Sequence, residues 1–254
     1  MRTKKEISKE MKELLFANED VIAAWEGGSA ATGFEDECSD LDLSIICKDS
    51  AVEEMFRELE DWLEKNYGIL NKFRVPEPAW HGFSQCYYQI ENVPPLFYLD
   101  IAVIKKSLPD KFTESDRHGN AVVWFEKEKI LDSTPSEPEK VEQKAKHFYK
   151  IATQSDFLTI TEIQKAIVRK RYSEAFPVYY QFIARNLAIL LNLKYRPEKV
   201  DFGLRYGYRD YNIEDFELVE SLLKVASLEE LSKKFAFAKK RFYELKKEFD
   251  RLCP

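Results

Sequence analysis

The residues Gly28-Ser29-Ala30-Ala31-Thr32-Gly33-Phe34-Glu35-Asp36-Glu37-Cys38-Ser39-Asp40-Leu41-Asp42 hold the chain's most informative chemistry. Asp40 and Asp42 lie two apart at the start of an apolar stretch, so a strand there would point both carboxylates to one face. Leu41 and Leu43 would point to the other, into a core. Adjacent carboxylates repel, and holding them together is costly unless a cation sits between them. Hard oxygen ligands suit Mg²⁺, which takes one or two carboxylates plus substrate phosphates. Gly28-Ser29 follows another apolar stretch and offers N–H groups and a hydroxyl, which are phosphate ligands. Either motif alone is common on protein surfaces. Together, with a strand on each side, they point to a nucleotide–metal site. A third carboxylate, Asp100, interrupts the otherwise apolar run Phe97–Ile104. Placing it there is expensive without a partner.

The elements around these residues can be read from periodicity. Thr3 and Glu6 fit a capping box, and Ile7, Met11, Leu14 and Leu15 then share one helical face. Val21–Trp25 reads as a strand leading into a turn at Glu26-Gly27-Gly28-Ser29. Leu41–Cys47 reads as a second strand. Ser50 and Glu53 suggest another capping box, before a helix striped by Val52, Phe56, Leu59 and Leu63 and stopped at Gly68. From Ile69 to Asp132 the period changes to two. Strands are expected near 69–75, 83–91, 96–104 and 121–131.

Ser133-Thr134-Pro135-Ser136-Glu137-Pro138 is a linker by composition. Beyond it, helical periodicity recurs near 139–155, 157–171, 174–194, 214–226 and 228–249, with Phe202–Tyr211 as a loop. The expected fold class is α+β, with a mixed-sheet domain over 1–135 followed by an all-α helical bundle over 136–254.

The chain has 254 residues and a formal net charge of −6. The charge is uneven: residues 1–135 hold 16 Lys+Arg against 27 Asp+Glu, and residues 136–254 hold 23 against 18. The overall sign argues against a broad nucleic-acid-binding surface. Cys38, Cys47, Cys86 and Cys253 contain no CxxC pair, and His81, His118 and His147 are scattered, so neither a zinc site nor a disulfide framework is expected. The charged N-terminus has no apolar signal core, and no apolar run approaches a membrane span. A cytoplasmic location is expected.

Gly28-Ser29, the spacer and Asp40-Leu41-Asp42 resemble the signature of the DNA polymerase β-like nucleotidyltransferase superfamily. Ser39 occupies the usual Ser before the first Asp, and Asp100 matches the later-strand carboxylate. The resemblance implies that Asp40, Asp42 and Asp100 are catalytic and hold two Mg²⁺ ions. It also implies that Gly28, Ser29 and Ser39 bind the phosphates of an NTP, with ATP expected. Thr32 stands where many members carry Arg. The helical half resembles that of small-molecule members such as the aminoglycoside adenylyltransferases, which implies that Lys165 or Arg169, four apart on one helix face, reaches the triphosphate. Their alternative is an ordinary exposed basic face. No motif identifies a general base. Glu91 is a weak candidate and reads better as a surface residue.

Three functions follow as expectations. The first is Mg-dependent transfer of a nucleoside monophosphate to a hydroxyl of a small molecule, such as an aminoglycoside-type antibiotic. Glu35-Asp36-Glu37, Glu77 and Glu91 would suit a cationic acceptor, and such an enzyme could confer antibiotic resistance. The second is a toxin-type nucleotidyltransferase that modifies tRNA or protein. The third is a non-catalytic nucleotide-binding module, against which the presence of all three carboxylates argues.

Overall fold

The computed structural model describes residues 1–250. It divides into two compact units, Met1–Pro135 and Ser136–Pro254.

The first unit is built on a six-stranded mixed sheet. In chain order its elements are α1 (Lys4–Ala17), β1 (Val21–Glu26), α2 (Gly28–Thr32), β2 (Leu41–Cys47), α3 (Val52–Asn66), β3 (Ile69–Arg74), β4 (Ser84–Ile90), β5 (Leu99–Lys105), α4 (Ser115–His118) and β6 (Val122–Glu126). The strand order is β3-β4-β5-β2-β1-β6. Only β2 and β5 run parallel, and they stand side by side at the centre.

One face of the sheet is apolar and covered. Leu41, Leu43, Ile45, Leu99, Ile101 and Val103 pack with Ile7, Met11 and Leu15 of α1 and with Phe56, Leu59 and Leu63 of α3. Period-two strands and period-3.6 helices thus bury matching stripes. The other face carries the alternate residues, Asp42 and Asp100 among them.

The Thr3–Glu6 capping box forms as expected. The one expected at Ser50 does not: Asp49–Ala51 makes a 3₁₀ turn, and α3 starts one turn later without a side-chain cap. The Asp49 carboxylate instead accepts the Ser107 N–H at 3.0 Å. The expected Gly27-Gly28-Ser29 turn is the start of α2, a short helix closed by Gly33 in the left-handed conformation.

The second unit contains α5 (Pro138–Thr153), α6 (Asp156–Val168), α7 (Tyr172–Gln181), a π-helical stretch Phe182–Leu187, α8 (Ala188–Tyr195), α9 (Gly207–Asp210), α10 (Ile213–Leu223) and α11 (Leu228–Phe249). The long helix expected over 174–194 is therefore interrupted by a π segment. The expected 202–211 loop holds one helical turn, α9. Tyr179, Phe182, Leu190, Phe235 and Phe242 are at the centre of this unit's own core. No helix among the described residues is long and apolar enough to cross a membrane. Cys38, Cys47 and Cys86 are free thiols, whereas Cys253 lies outside the described residues.

Candidate functional site

The sheet register assembles the site. Asp42 on β2 and Asp100 on β5 are direct partners across the parallel pair. Strand alternation sends both to the face opposite the helices. Asp40 lies one alternation before Asp42 and immediately precedes β2. Leu41 N–H donates to Tyr98 C=O at 3.2 Å, which extends the pairing to the residues just before each strand.

Three carboxylates gathered in this way are electrostatically expensive. Burial, then the charges of Asp40 and Asp100, push the Asp42 carboxyl up to about 7. Burial also raises Asp100, opposed by a hydrogen bond from Gln85 Nε2 to Asp100 Oδ1 of 2.6 Å. The Tyr98 hydroxyl is hydrogen-bonded to Asp40, and that bond, more than burial, holds the phenol above its ordinary range.

Gly27 and Gly28 bring the backbone close to this cluster. Gly27 N–H donates to Asp42 C=O at 2.8 Å. Gly28 has φ +55°, and a Cβ there would overlap Asp42 Oδ2. Only glycine meets both demands. The next residue, Ser29, has a buried hydroxyl without a hydrogen-bond partner. A buried, unsatisfied hydroxyl is costly unless a ligand satisfies it. Gly119 backs α2, since a Cβ there would meet Ala31 C=O at 2.5 Å, and Asn120 N–H donates to the same carbonyl at 2.8 Å. The Thr32 hydroxyl turns back onto the carbonyls of Gly28 and Ser29, 3.1 and 3.2 Å away.

Sequence reasoning missed three contributors. Gln85 and Tyr98 are two. Tyr98 has the parity of Asp100, and that spacing could have flagged it. The third is Lys4, whose ammonium pairs with Glu26 at the end of β1 and with Glu35 Oε1 at 2.6 Å. Burial opposes the Lys4 charge, but its bonds to Glu26 and Glu35 raise its pKa on balance. Its positive charge in turn moderates the rise at Asp42. No local signal links a residue in the first helix to a strand end.

Asp40, Asp42, Asp100, Gly28, Ser29 and Ser39 all belong to the first unit. The Ser39 hydroxyl is engaged in its own turn, donating to Asp36 Oδ1 at 3.0 Å and accepting from Asp36 N–H at 2.9 Å. Glu91 is exposed in the turn after β4 and lies against Gly68. Lys165 and Arg169 belong to the second unit. Lys165 is exposed on α6 and paired with Glu162 at 2.8 Å, and Arg169 is exposed at the end of that helix.

Among the described residues, no three His, Cys, Asp or Glu side chains already stand around a common metal position. Asp100 is turned to Gln85 and Asp40 to Tyr98, so ligation would need those carboxylates to swing. The donor set itself fits a hard divalent cation: it is all oxygen and crowded, and Asp42 and Asp100 are raised in pKa by burial and by neighbouring carboxylates.

A cluster of carboxylates at the start of two parallel strands thus offers oxygen donors suited to a hard cation, beside a glycine-tight turn whose unsatisfied hydroxyl could donate to a phosphorylated ligand. Comparison with solved structures finds similarity to an aminoglycoside 6-adenyltransferase from Bacillus subtilis, with TM-score 0.38 and 14% identity over 97% of this chain and 90% of that one. A nucleotidyltransferase-like protein from Exiguobacterium sibiricum is similar with TM-score 0.38 and 12% identity over 97% and 76% of the two chains. No family model and no curated protein matches the chain. At overlap this low, the chemistry has to come from the chain's own residues.

Proposed function

We propose that the protein transfers a nucleoside monophosphate from a Mg-bound NTP, ATP being the expected donor, to a hydroxyl of a small acceptor. The observation that carries this reading is the Asp42–Asp100 register beside Gly28-Ser29, with Asp42 driven to about 7 by burial and by its two neighbours. Asp40, Asp42 and Asp100 would hold two Mg²⁺ ions. Bound magnesium supplies charge neutralisation and a lowered pKa for the attacking hydroxyl.

The protein's own groups do the rest. Gly28 lets the triphosphate approach the backbone, and the Ser29 hydroxyl donates to a phosphate oxygen. Ser39 is a further phosphate donor once its bond to Asp36 is exchanged. Gln85 and Tyr98 orient Asp100 and Asp40. The acceptor oxygen forms a bond to the α-phosphorus while the bond from that phosphorus to the β-bridging oxygen breaks. Pyrophosphate leaves, and the hydroxyl proton passes to a carboxylate oxygen of Asp100.

Pyrophosphate release with each NTP, with and without an acceptor panel of aminoglycosides, lincosamides and simple glycosides, tests the reading. Acceptor-dependent release that disappears in Asp42→Asn supports it. Full Mg²⁺-dependent turnover in a folded Asp42→Asn variant would sink it.

A further inference from the structure

Beside the carboxylates lies a groove that the chemistry above touches only through Tyr98. It has a volume of about 410 Å³ and is formed by β3, β4 and the segment leading into β5. That is within the size range of small-molecule sites. Its walls include Phe73, Tyr87, Leu96 and Tyr98, with Asn71 and Gln89 toward its outer end. The Phe73 and Tyr87 rings stack, with centroids 6.4 Å apart and planes 18° from parallel. Tyr98 follows, its centroid 6.1 Å from that of Tyr87. Phe73 is 58% exposed and Leu96 68%, unusual for large apolar side chains on one patch.

The shelf is wired to the site. Tyr87 is the register partner of Asp100, and its hydroxyl accepts from Gln85 Nε2 at 2.9 Å, the same nitrogen that donates to Asp100. Tyr98 bonds Asp40. Strand order then fixes the sides. Gly28-Ser29 follows β1, on one side of the carboxylates, and the shelf on β4 and β3 lies on the other. A donor whose phosphates occupy Gly28-Ser29 leaves the Asp100 side to the acceptor.

The charge lining selects the acceptor further. No Asp or Glu lines the groove among the described residues, and its single cation, Lys72, is paired with Glu60 at 2.7 Å. Of the acidic residues that would suit a polycation, Glu35 pairs with Lys4, Asp36 bonds Ser39, Glu77 pairs with Arg74 and Glu91 lies against Gly68, and neither these four nor Glu37 lines the groove. Resting on the nucleotidyl-transfer reading, we infer that the Phe73–Tyr87–Tyr98 shelf binds the acceptor, and that the acceptor is an uncharged, polyhydroxylated ring compound of the glycoside class. The C–H face of such a ring stacks on the aromatic faces. Its hydroxyls reach the Asn71–Gln89 amide pair at one end and Asp100 at the other.

The test is two-dimensional NMR titration of the full chain with p-nitrophenyl β-glucoside, kanamycin and Mg-ATP separately, alongside the pyrophosphate assay. The glucoside is expected to shift amides in 71–73, 87–89 and 95–98, and saturating Mg-ATP is expected not to displace it. Phe73→Ala should weaken the glucoside about tenfold, and Phe73→Trp should restore it. Glucoside binding that is absent, that shifts other segments or that is indifferent to Phe73→Ala overturns the inference. So does displacement by Mg-ATP, which would make the shelf a nucleobase site, or tighter binding of kanamycin at the same amides. If the shelf binds as expected but no acceptor supports pyrophosphate release, the transfer reading falls while glycoside binding stands.

Discussion

The two units treat buried carboxylates in opposite ways. In the first, Asp42 and Asp100 sit among other acids, and their proton affinities rise. In the second, Asp215 is 4% exposed, more hidden from solvent than the half-buried Asp42 and Asp100, yet its pKa falls. Burial would raise it, but Arg241 bonds both its oxygens at 2.9 and 2.7 Å, and Tyr195 donates at 2.7 Å. Asp210 falls for the same reason, opposite Arg209 and Arg196. Asp156 pairs with Lys246 at 2.9 Å. A carboxylate whose partners are built into the chain is part of the architecture. One whose neighbours are other carboxylates is the arrangement that a bound cation would stabilise, as the proposed function requires.

That contrast can be broken by substitution. The largest effect expected is on turnover: Asp42→Asn or Asp100→Asn should reduce pyrophosphate release by about 10²–10³-fold, the size seen when a group stabilising transition-state charge is removed. Circular dichroism should show both variants folded. Asp215→Ala should do the reverse. Breaking this pair removes the buried carboxylate that Arg241, Lys194 and Tyr195 share and costs about 3 kcal/mol, read by chemical denaturation of the second unit's helices. A stable, native-like Asp215→Ala would remove the distinction between the two regions.

Stability against pH sharpens the comparison. Asp42 has a folded pKa raised from 3.8 to about 7, so its contribution to the stability of the metal-free protein is fully present below the unfolded value and is lost as pH rises through about 7. Asp42→Asn should abolish that loss and stabilise the metal-free protein at pH 8 by about 2 kcal/mol. Mg²⁺ should protect the wild type more at pH 8 than at pH 5. Asp210 and Asp215 are lowered on folding, so their stabilisation is present above the unfolded value and is lost as pH falls through the folded one. Thermal melts across pH 3–9, with and without Mg²⁺, read both trends.

Smaller effects follow at the edges of the site. Gly28→Ala forces a side chain into a positive-φ position against the Asp42 carboxylate and should cost about 1 kcal/mol of stability. It should also weaken Mg-NTP binding, read by calorimetry.

Local pattern was enough for much of the molecule. The Thr3–Glu6 cap, the β2 alternation and the stripe of α3 are set by neighbours a few residues away. So is the common face of Asp40 and Asp42, because strand parity is a property of the backbone. The Ser50 cap did not form: Asp49–Ala51 makes a 3₁₀ turn there, and the neighbouring Asp49 carboxylate is bonded to Ser107, more than fifty positions distant.

The sequence by itself determined which groups could do chemistry: a glycine turn with a serine, a pair of aspartates, and a lone aspartate in an apolar run. Only the tertiary structure decided that Asp100 stands opposite Asp42, that Lys4 and Glu26 meet beside them, and that Phe73, Tyr87 and Tyr98 form one shelf. The physical reason is that periodicity assigns each residue a face, whereas strand order and register assign it a neighbour. Register is set by the burial of whole strands, summed over residues far apart in the chain, and no single motif records it.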